Sequence, residues 1–214
     1  MEDAEEIIMM FIFDKLVIAT GNAGKYEEFT KIIRSCSDSE SDSELCEFAR
    51  EIIFAPDIAK LIVDETGKSY SENSMLKAKA WSDISGLPCL ADDSGLEVDS
   101  LNGAPGLYSA RIVKGKDDNK VSWLLHELEH ESNRNAHFTA SLALSVPNEY
   151  MLITEGYCYG TIARIPKGIN GFGYDPVFIP NGYTSTFAEL SSSIKAQISH
   201  RADAFRKLIA VLKK

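Results

Sequence analysis

The hexapeptide Ala91-Asp92-Asp93-Ser94-Gly95-Leu96 places two adjacent carboxylates directly after the apolar residues 87–90. This pattern predicts a strand over residues 87–91 that ends at the acidic pair, where the backbone turns. Because like charges repel in a partly desolvated site, paired acids usually occur where a cation or a reacting group lies between them. A solvated Asp-Asp-Ser-Gly turn is the alternative, since these are ordinary turn residues. Residues elsewhere in the chain distinguish a site for a cation or reacting group from a solvated turn.

The composition is that of a globular protein with an acidic surface. The chain has 214 residues, of which 44% are hydrophobic and 25% charged, and its formal net charge is −10. An acidic chain has no broad electrostatic attraction for nucleic acid or an anionic membrane, so neither is an expected partner. The four cysteines lack the spacing of a zinc site, which predicts reduced thiols in the cytoplasm.

The first residues could be mistaken for a targeting segment. Residues 7–13 are apolar, but the residues before them are acidic, which is the wrong charge for a secretory signal. The run is also far shorter than a membrane span. We expect residues 1–14 to be a leader that enters the first strand, and residues 15–214 to form a single domain.

Strand and helix patterns alternate early in the chain, and a long hairpin follows. Short apolar or alternating runs predict strands over residues 16–19, 51–55, 87–91, 138–146 and 151–159. Helical spacing predicts helices over residues 26–33, 72–84 and 120–129, with a last helix from about Arg201. This order predicts an α/β fold with a mixed sheet.

One segment stands apart in composition. Residues 35–44 are almost entirely serine and acidic residues, which cannot bury enough apolar area to become ordered. They are predicted to form a mobile acidic insert on the surface.

The loop after the first predicted strand has features of an anion site. It consists of Thr20, Gly21, Asn22, Ala23, Gly24 and Lys25. A strand-to-helix loop of this kind directs backbone N–H groups and a helix N-terminus at an anion, and a lysine adds positive charge. It is not a Walker A loop, because two residues separate its glycines and Tyr26 replaces the magnesium-binding Ser or Thr. A plain strand-to-helix turn is the alternative.

Three other segments carry residues suited to a nucleotide. Asp64 and Glu65 precede a predicted helix that bears Asn73 and Lys77. Residues 171–176 form a glycine-flanked aromatic loop, which is either a tight packed turn or a platform for base stacking. Lysine, histidine and arginine side chains precede the last helix. Together these segments offer hard oxygen ligands for Mg²⁺, cations for phosphates and an aromatic surface for a base.

Seven motifs in this order span nearly the whole chain. They are Ala19-Thr20-Gly21-Asn22-x-x-Lys25, Glu65-Thr66-Gly67-x-x-Tyr70-x-Glu72-Asn73-x-x-x-Lys77-Ala78, Ala91-Asp92-Asp93-Ser94-Gly95-Leu96, Gly103-Ala104-Pro105-Gly106-x-Tyr108-Ser109-Ala110-Arg111, Phe172-Gly173-Tyr174-Asp175-Pro176-x-Phe178, Ala188-Glu189-Leu190 and Ile198-Ser199-His200-Arg201. In combination they resemble the bacterial branch of the inosine triphosphate pyrophosphatase family, also called Ham1-like. The departures are the leader, the acidic insert and Tyr70, where relatives commonly have Phe.

The resemblance implies an elongated mixed β-sheet with flanking helices, arranged as two lobes around a central cleft, in a homodimer. It further implies Mg²⁺-dependent hydrolysis of ITP, dITP and XTP to the monophosphate and pyrophosphate, which removes non-standard purines from the nucleotide pool. Two other functions stay open on the residues alone. A non-catalytic purine-nucleotide-binding regulator would not need Asp93 with Glu65, and a phosphotransferase would need the missing Walker pattern.

The resemblance also assigns a role to each matched residue. Asp93 would be the general base and, with Glu65, a magnesium ligand, while Asp92 would support them; whether Glu65 or Asp64 is the second ligand stays open. The residues implied to bind substrate are Thr20, Gly21, Asn22, Ala23, Gly24, Lys25, Asn73, Lys77, Ser94, Phe172, Gly173, Tyr174, Asp175, Lys195, His200 and Arg201.

Overall fold

The computed structural model describes residues 10–35, 46–113 and 117–213. Within them, six strands form one sheet in the order β2-β1-β3-β4-β5-β6. The strands are β1 (Met10–Ile18), β2 (Cys46–Phe54), β3 (Cys89–Val98), β4 (Asn135–Val146), β5 (Tyr150–Ile162) and β6 (Phe178–Pro180). Strand β1 runs parallel to both β2 and β3, whereas β3 to β6 pair antiparallel, so the sheet is mixed as predicted.

Helices cover both faces of this sheet. They are α1 (Ala23–Ser35), α2 (Ala55–Ile58), α3 (Tyr70–Ser85), α4 (Asp117–Glu127), α5 (Ser192–Ile198) and α6 (His200–Leu212). Helices α1 and α6 bury Phe29 and Phe205 against Leu142 on one face. Helix α3 buries Trp81 against Ala143 on the other. The α/β class is therefore confirmed, and none of the helices in the described ranges is long and apolar enough to cross a membrane.

The predicted end of the third strand is wrong. Strand β3 does not stop at Ala91 but continues through both aspartates to Val98, paired with β4 along its length. Because successive side chains of a strand point to opposite faces, the two carboxylates are directed apart and form their ion pairs with different cations. Each carboxylate forms an ion pair on its own face of the sheet, so one strand can accommodate both aspartates.

Other boundaries also differ from the sequence prediction. Strand β1 begins at Met10, within the predicted leader. Helix α6 begins at His200, and α5 and β6 were not predicted. Of the predicted acidic insert only Ser35 is described, as the last residue of α1; residues 36–44 lie outside the described residues, as do residues 1–9 of the leader.

Candidate active site

The loop between β1 and α1 is closed by its own side chains. Asn22 Oδ1 accepts a hydrogen bond from the backbone N–H of Lys25 at 3.0 Å, and Thr20 Oγ1 accepts one from the N–H of Asn22 at 3.1 Å. The loop therefore ends at the N-terminus of α1, where the helix dipole favours an anion.

A carboxylate–lysine cluster lies on the α3 side of β3. Lys77 Nζ donates to Asp93 Oδ1 at 3.1 Å and to Glu65 Oε1 at 2.8 Å. Asn73 Nδ2 donates to the second Asp93 oxygen at 3.0 Å. Glu65 rather than its exposed neighbour Asp64 faces this cluster. Two carboxylates from distant segments thus converge on one ammonium group.

The charges in this cluster are shifted by burial and by one another. Burial raises the pKa of Asp93 above its ordinary value, and the charges of Lys77 and Lys25 offset this only in part. Burial works against a charged Lys77, but Asp93 and Glu65 outweigh it and raise the pKa of that ammonium. A carboxylate with a raised pKa is better suited to accept a proton than an ordinary aspartate.

Asp92 organises the opposite face of β3. Its side chain is buried, forms an ion pair with Lys25 Nζ at 2.6 Å and contacts Arg201 Nη2 at 3.3 Å. Ser94 Oγ donates to the same carboxylate at 3.0 Å. Although burial alone would raise the pKa of Asp92, the charges of Arg201 and Lys25 lower it well below its usual range. Asp92 therefore links the loop of residues 20–25, called here the phosphate loop, to the start of α6.

A second buried ion network lies beside it. Glu28, on α1, contacts Lys195 Nζ at 3.2 Å and Arg201 Nη1 at 3.3 Å, and it accepts from Ser199 Oγ at 2.9 Å. Lys195 also pairs with Asp175 at 2.5 Å. Burial opposes charge on Glu28, but Lys195 and Arg201 outweigh it and lower its pKa to about 2.

The aromatic loop extends over this network. Phe172 lies beneath two cations, with Lys195 Nζ 4.6 Å and the Arg201 guanidinium carbon 5.5 Å from its ring centre. It also contacts Gly24 of the phosphate loop, where a Cβ would lie only 2.7 Å from the phenyl ring. Tyr174 is buried behind it and donates from its hydroxyl to the Ser109 carbonyl at 3.3 Å.

The His200 side chain is a buried polar group at this end with no hydrogen bond to the described residues. Its ring stacks on Phe138 at 4.7 Å, and neither ring nitrogen has a hydrogen-bond partner among the described residues. Burial, together with the nearby charge of Arg201, lowers its pKa well below the usual value, so the imidazole is neutral at pH 7. A buried neutral imidazole offers one donor and one acceptor to a ligand.

Two adjoining pockets contain most of the predicted site residues. The first, called here the base end, brings together Asn22, Lys25, Ser94, Phe172, Gly173, Tyr174, Asp175, Lys195, His200 and Arg201. The second, called the phosphate end, brings together Thr20, Gly21, Asn22, Lys25, Glu65 and Lys77. Asn22 and Lys25 border both, so the pockets form one cleft. The predicted residues Ala23, Gly24, Asn73 and Asp93 line neither pocket. Asp93 is bonded to Lys77 and Asn73, and Gly24 lies against Phe172.

Sequence reasoning missed three charged residues that line the cleft, namely Lys60, Asp117 and Lys120. It also missed Glu28, which lines neither pocket but pairs with Lys195 behind the base end. A signal for Glu28 was available, because it follows Lys25 by three residues on the helical stripe that also carries Phe29 and Ile32. A charge on an otherwise buried stripe requires a partner.

A sequence model of the Ham1 family matches residues 16–211. The chain belongs to the Ham1 family. Among curated members, a dITP/XTP pyrophosphatase of Streptomyces avermitilis is 43% identical over 93% of this chain and 97% of its own. One of the same name from Aquifex aeolicus is 40% identical over 93% and 96%. The solved Ham1 protein of Staphylococcus aureus is 36% identical, with a TM-score of 0.75 over 93% of this chain and 98% of its own.

Proposed function

We propose that this protein hydrolyses ITP, dITP and XTP to the monophosphate and pyrophosphate, and so removes non-standard purine nucleotides from the nucleotide pool. The observation that carries the proposal is a single cleft in which Lys77, paired with Glu65 and Asp93, lies beside the loop of residues 20–25 at one end, with buried aromatic and cationic groups at the other. The similar proteins of S. avermitilis and A. aeolicus carry the name dITP/XTP pyrophosphatase.

In the proposed reaction, Asp93 accepts a proton from a water whose oxygen attacks the α-phosphorus. The new bond joins that oxygen to the α-phosphorus, and the bond between the α-phosphorus and its bridging oxygen to the β-phosphorus breaks. Pyrophosphate leaves with the electron pair. Lys77 and Lys25 border the phosphate end and would offset the charge that develops on this leaving group. The bonds from Asn73 and Lys77 would fix the Asp93 carboxylate toward the water.

The donor set at the phosphate end fits Mg²⁺. Asp93 and Glu65 supply hard carboxylate oxygens from two segments that meet at Lys77. Magnesium is commonly held by one or two carboxylates together with substrate phosphates and water. When bound, the ion would neutralise phosphate charge and orient the reacting groups. We therefore propose Mg²⁺ as the cofactor, with Asp93 and Glu65 as its protein ligands.

At the base end, selection of hypoxanthine and xanthine over adenine follows from the hydrogen-bond pattern of the base. Hypoxanthine and xanthine have a 6-oxo acceptor where adenine has an amino donor. A donor from His200, Arg201 or a backbone amide would face another donor if adenine bound. A site built for one pattern can reject the wrong partner by roughly 10⁴-fold. His200 suits this role because its buried ring nitrogens have no bond to the described residues.

We further propose that the protein is a cytoplasmic homodimer whose residues 15–214 form two lobes of one catalytic domain. The free thiols of Cys89 and Cys158 support a reducing compartment. The exposed Ile153 and Tyr159 on β5 support a covered surface. Light scattering in solution tests the dimer.

The test of the main proposal is product analysis with ITP, XTP, ATP and GTP in the presence of Mg²⁺. We expect pyrophosphate, not orthophosphate, as the first product from ITP and XTP, and far slower release from ATP. Binding without cleavage would favour a regulator, transfer of a phosphoryl group would favour a phosphotransferase, and equal rates with ATP and ITP would contradict base selection.

A further inference from the structure

We propose that Asp117 and Lys120, in the first turn of α4, are positioning residues that hold the aromatic loop in the conformation required for base binding. This inference deepens the proposed function and rests on it. It assigns a role at the base end to a helix that contributes none of the sequence motifs.

The contacts join α4 directly to the loop. Asp117 Oδ2 accepts a hydrogen bond from the backbone N–H of Gly173 at 2.8 Å. The other oxygen of the same carboxylate accepts from Lys120 Nζ at 2.9 Å. Both side chains line the base end of the cleft. The lysine thus fixes the carboxylate, and the carboxylate fixes the backbone next to Phe172.

The loop requires such support from outside. Gly171 and Gly173 flank Phe172 and have φ values of +76° and +65°, a region that glycine enters freely but at a high entropic cost on ordering. The N–H of Phe172 is held within the loop by Asp175 at 2.8 Å. The N–H of Gly173 is held by Asp117, 56 residues away in sequence. Without this bond, the backbone that follows Phe172 loses its hydrogen bond to α4.

A purely structural role predicts a different outcome. Asp117 is the first residue of α4, where a negative charge stabilises the helix dipole. Loss of that effect would lower the melting temperature for any uncharged replacement. A positioning role depends on the oxygen acceptor instead, so an amide at residue 117 should preserve much of it.

The experiment compares Asp117→Ala, Asp117→Asn and Lys120→Met with wild-type protein. Asp83→Ala is the matched control, because it removes an exposed lysine–aspartate pair of α3 that lies outside the cleft. Affinity for IMP, which carries the base, and for inorganic pyrophosphate, which has none, is measured by calorimetry. KM and kcat for ITP and the melting temperature are measured on the same preparations.

We expect Asp117→Ala to weaken IMP binding and raise KM for ITP roughly tenfold, the equivalent of one charge-assisted hydrogen bond, with kcat and pyrophosphate affinity retained. Asp117→Asn should restore most of the IMP affinity despite losing the charge, and Lys120→Met should have a smaller effect than Asp117→Ala. The control should match wild type.

Three results would overturn the inference: unchanged IMP affinity in Asp117→Ala, equal losses for IMP and pyrophosphate, or no difference between the alanine and asparagine variants. Failure of the proposed function is distinguishable from these. It would appear as wild-type protein that releases no pyrophosphate from ITP or XTP, whereas IMP affinity tests the loop without turnover.

Discussion

The two ends of the cleft use charge in opposite ways. At the phosphate end, Lys77 and Glu65 pair with each other but are partly exposed and line the pocket, so a ligand can reach both charges. At the base end, Lys195 and Arg201 are buried, and the buried carboxylates of Glu28 and Asp175 neutralise them within the protein. The neutral imidazole of His200, at the same end, has no hydrogen bond within the part of the chain that the structure describes.

This difference separates the two tasks of the proposed enzyme. Available charge suits phosphates and a metal ion, whose interactions are strong but do not depend on the base. A neutralised, rigid network suits discrimination, because a buried donor or acceptor left unpaired is costly. Asp92 connects the two ends through Lys25 and Arg201.

The largest expected effect lies at the phosphate end. Asp93→Asn keeps the shape of the side chain but removes the charge that accepts the proton and binds Mg²⁺. We expect kcat for ITP to fall by roughly 10²–10⁴-fold, as for loss of a general base. Steady-state kinetics and magnesium titration on folded protein check this, with IMP affinity measured without metal as the control that should survive.

A structural role for Asp93 predicts the reverse. In that case the variant would melt at a lower temperature but keep its turnover per folded molecule. A folded Asp93→Asn protein with near wild-type kcat would end the assignment.

An intermediate effect is expected on stability at the base end. Glu28→Gln leaves two buried cations short of a partner, which should lower the free energy of unfolding at pH 7 by roughly 3–5 kcal/mol. The pKa of Glu28 is lowered from 4.5 to about 2, so its contribution is present above pH 4.5 and is lost as the pH falls toward 2. Urea unfolding of both proteins across this range measures it.

In that comparison the two stability curves should converge as the pH falls below 4.5. His200 also destabilises the fold on acidification, since its lowered pKa leaves the unfolded state to bind the proton first. The Glu28 charge opposes that lowering, so the difference between the two proteins includes this effect on His200. Parallel curves, or equal stability at pH 7, would show that Glu28 does not hold the base end together.

The smallest effect is expected away from both ends. The composition of residues 36–44 predicts a solvated connection, so replacing them with a four-residue Gly/Ser linker should change stability by only about 0.6 kcal/mol. Turnover of ITP should also be retained. Thermal melts and ITP kinetics check both, and loss of folded protein or of rate would place this segment in the fold or the site.

Much of the phosphate end could be predicted from the sequence, because its residues lie in short motifs. Glycine and lysine at a strand-to-helix loop indicate an anion site locally. The C-terminal end of β3 could not be predicted in this way. Residues 92–95 lack an apolar pattern, so the strand is recognised only through its pairing with β4 and the ion partners of each carboxylate.

Most residues lining the base end also lie in motifs, but no local pattern encodes the packing that holds them there. Glu28 meets Ser199, 171 residues away, and Asp117 meets Gly173 across a different part of the chain. Such pairs form because the sheet brings α1, α4 and α6 to one cleft. The charge of Glu28 on a buried stripe indicated that a partner exists, but it could not indicate which one.

The central claim is that catalysis belongs to the phosphate end and base selection to the base end. The most direct measurement is the ratio of kcat/KM for ITP to kcat/KM for ATP, in wild-type protein and in Asp93→Asn. We expect both constants to fall together in the variant, so that the ratio stays at its wild-type value. A ratio that collapses toward one in Asp93→Asn would contradict the separation of the two ends.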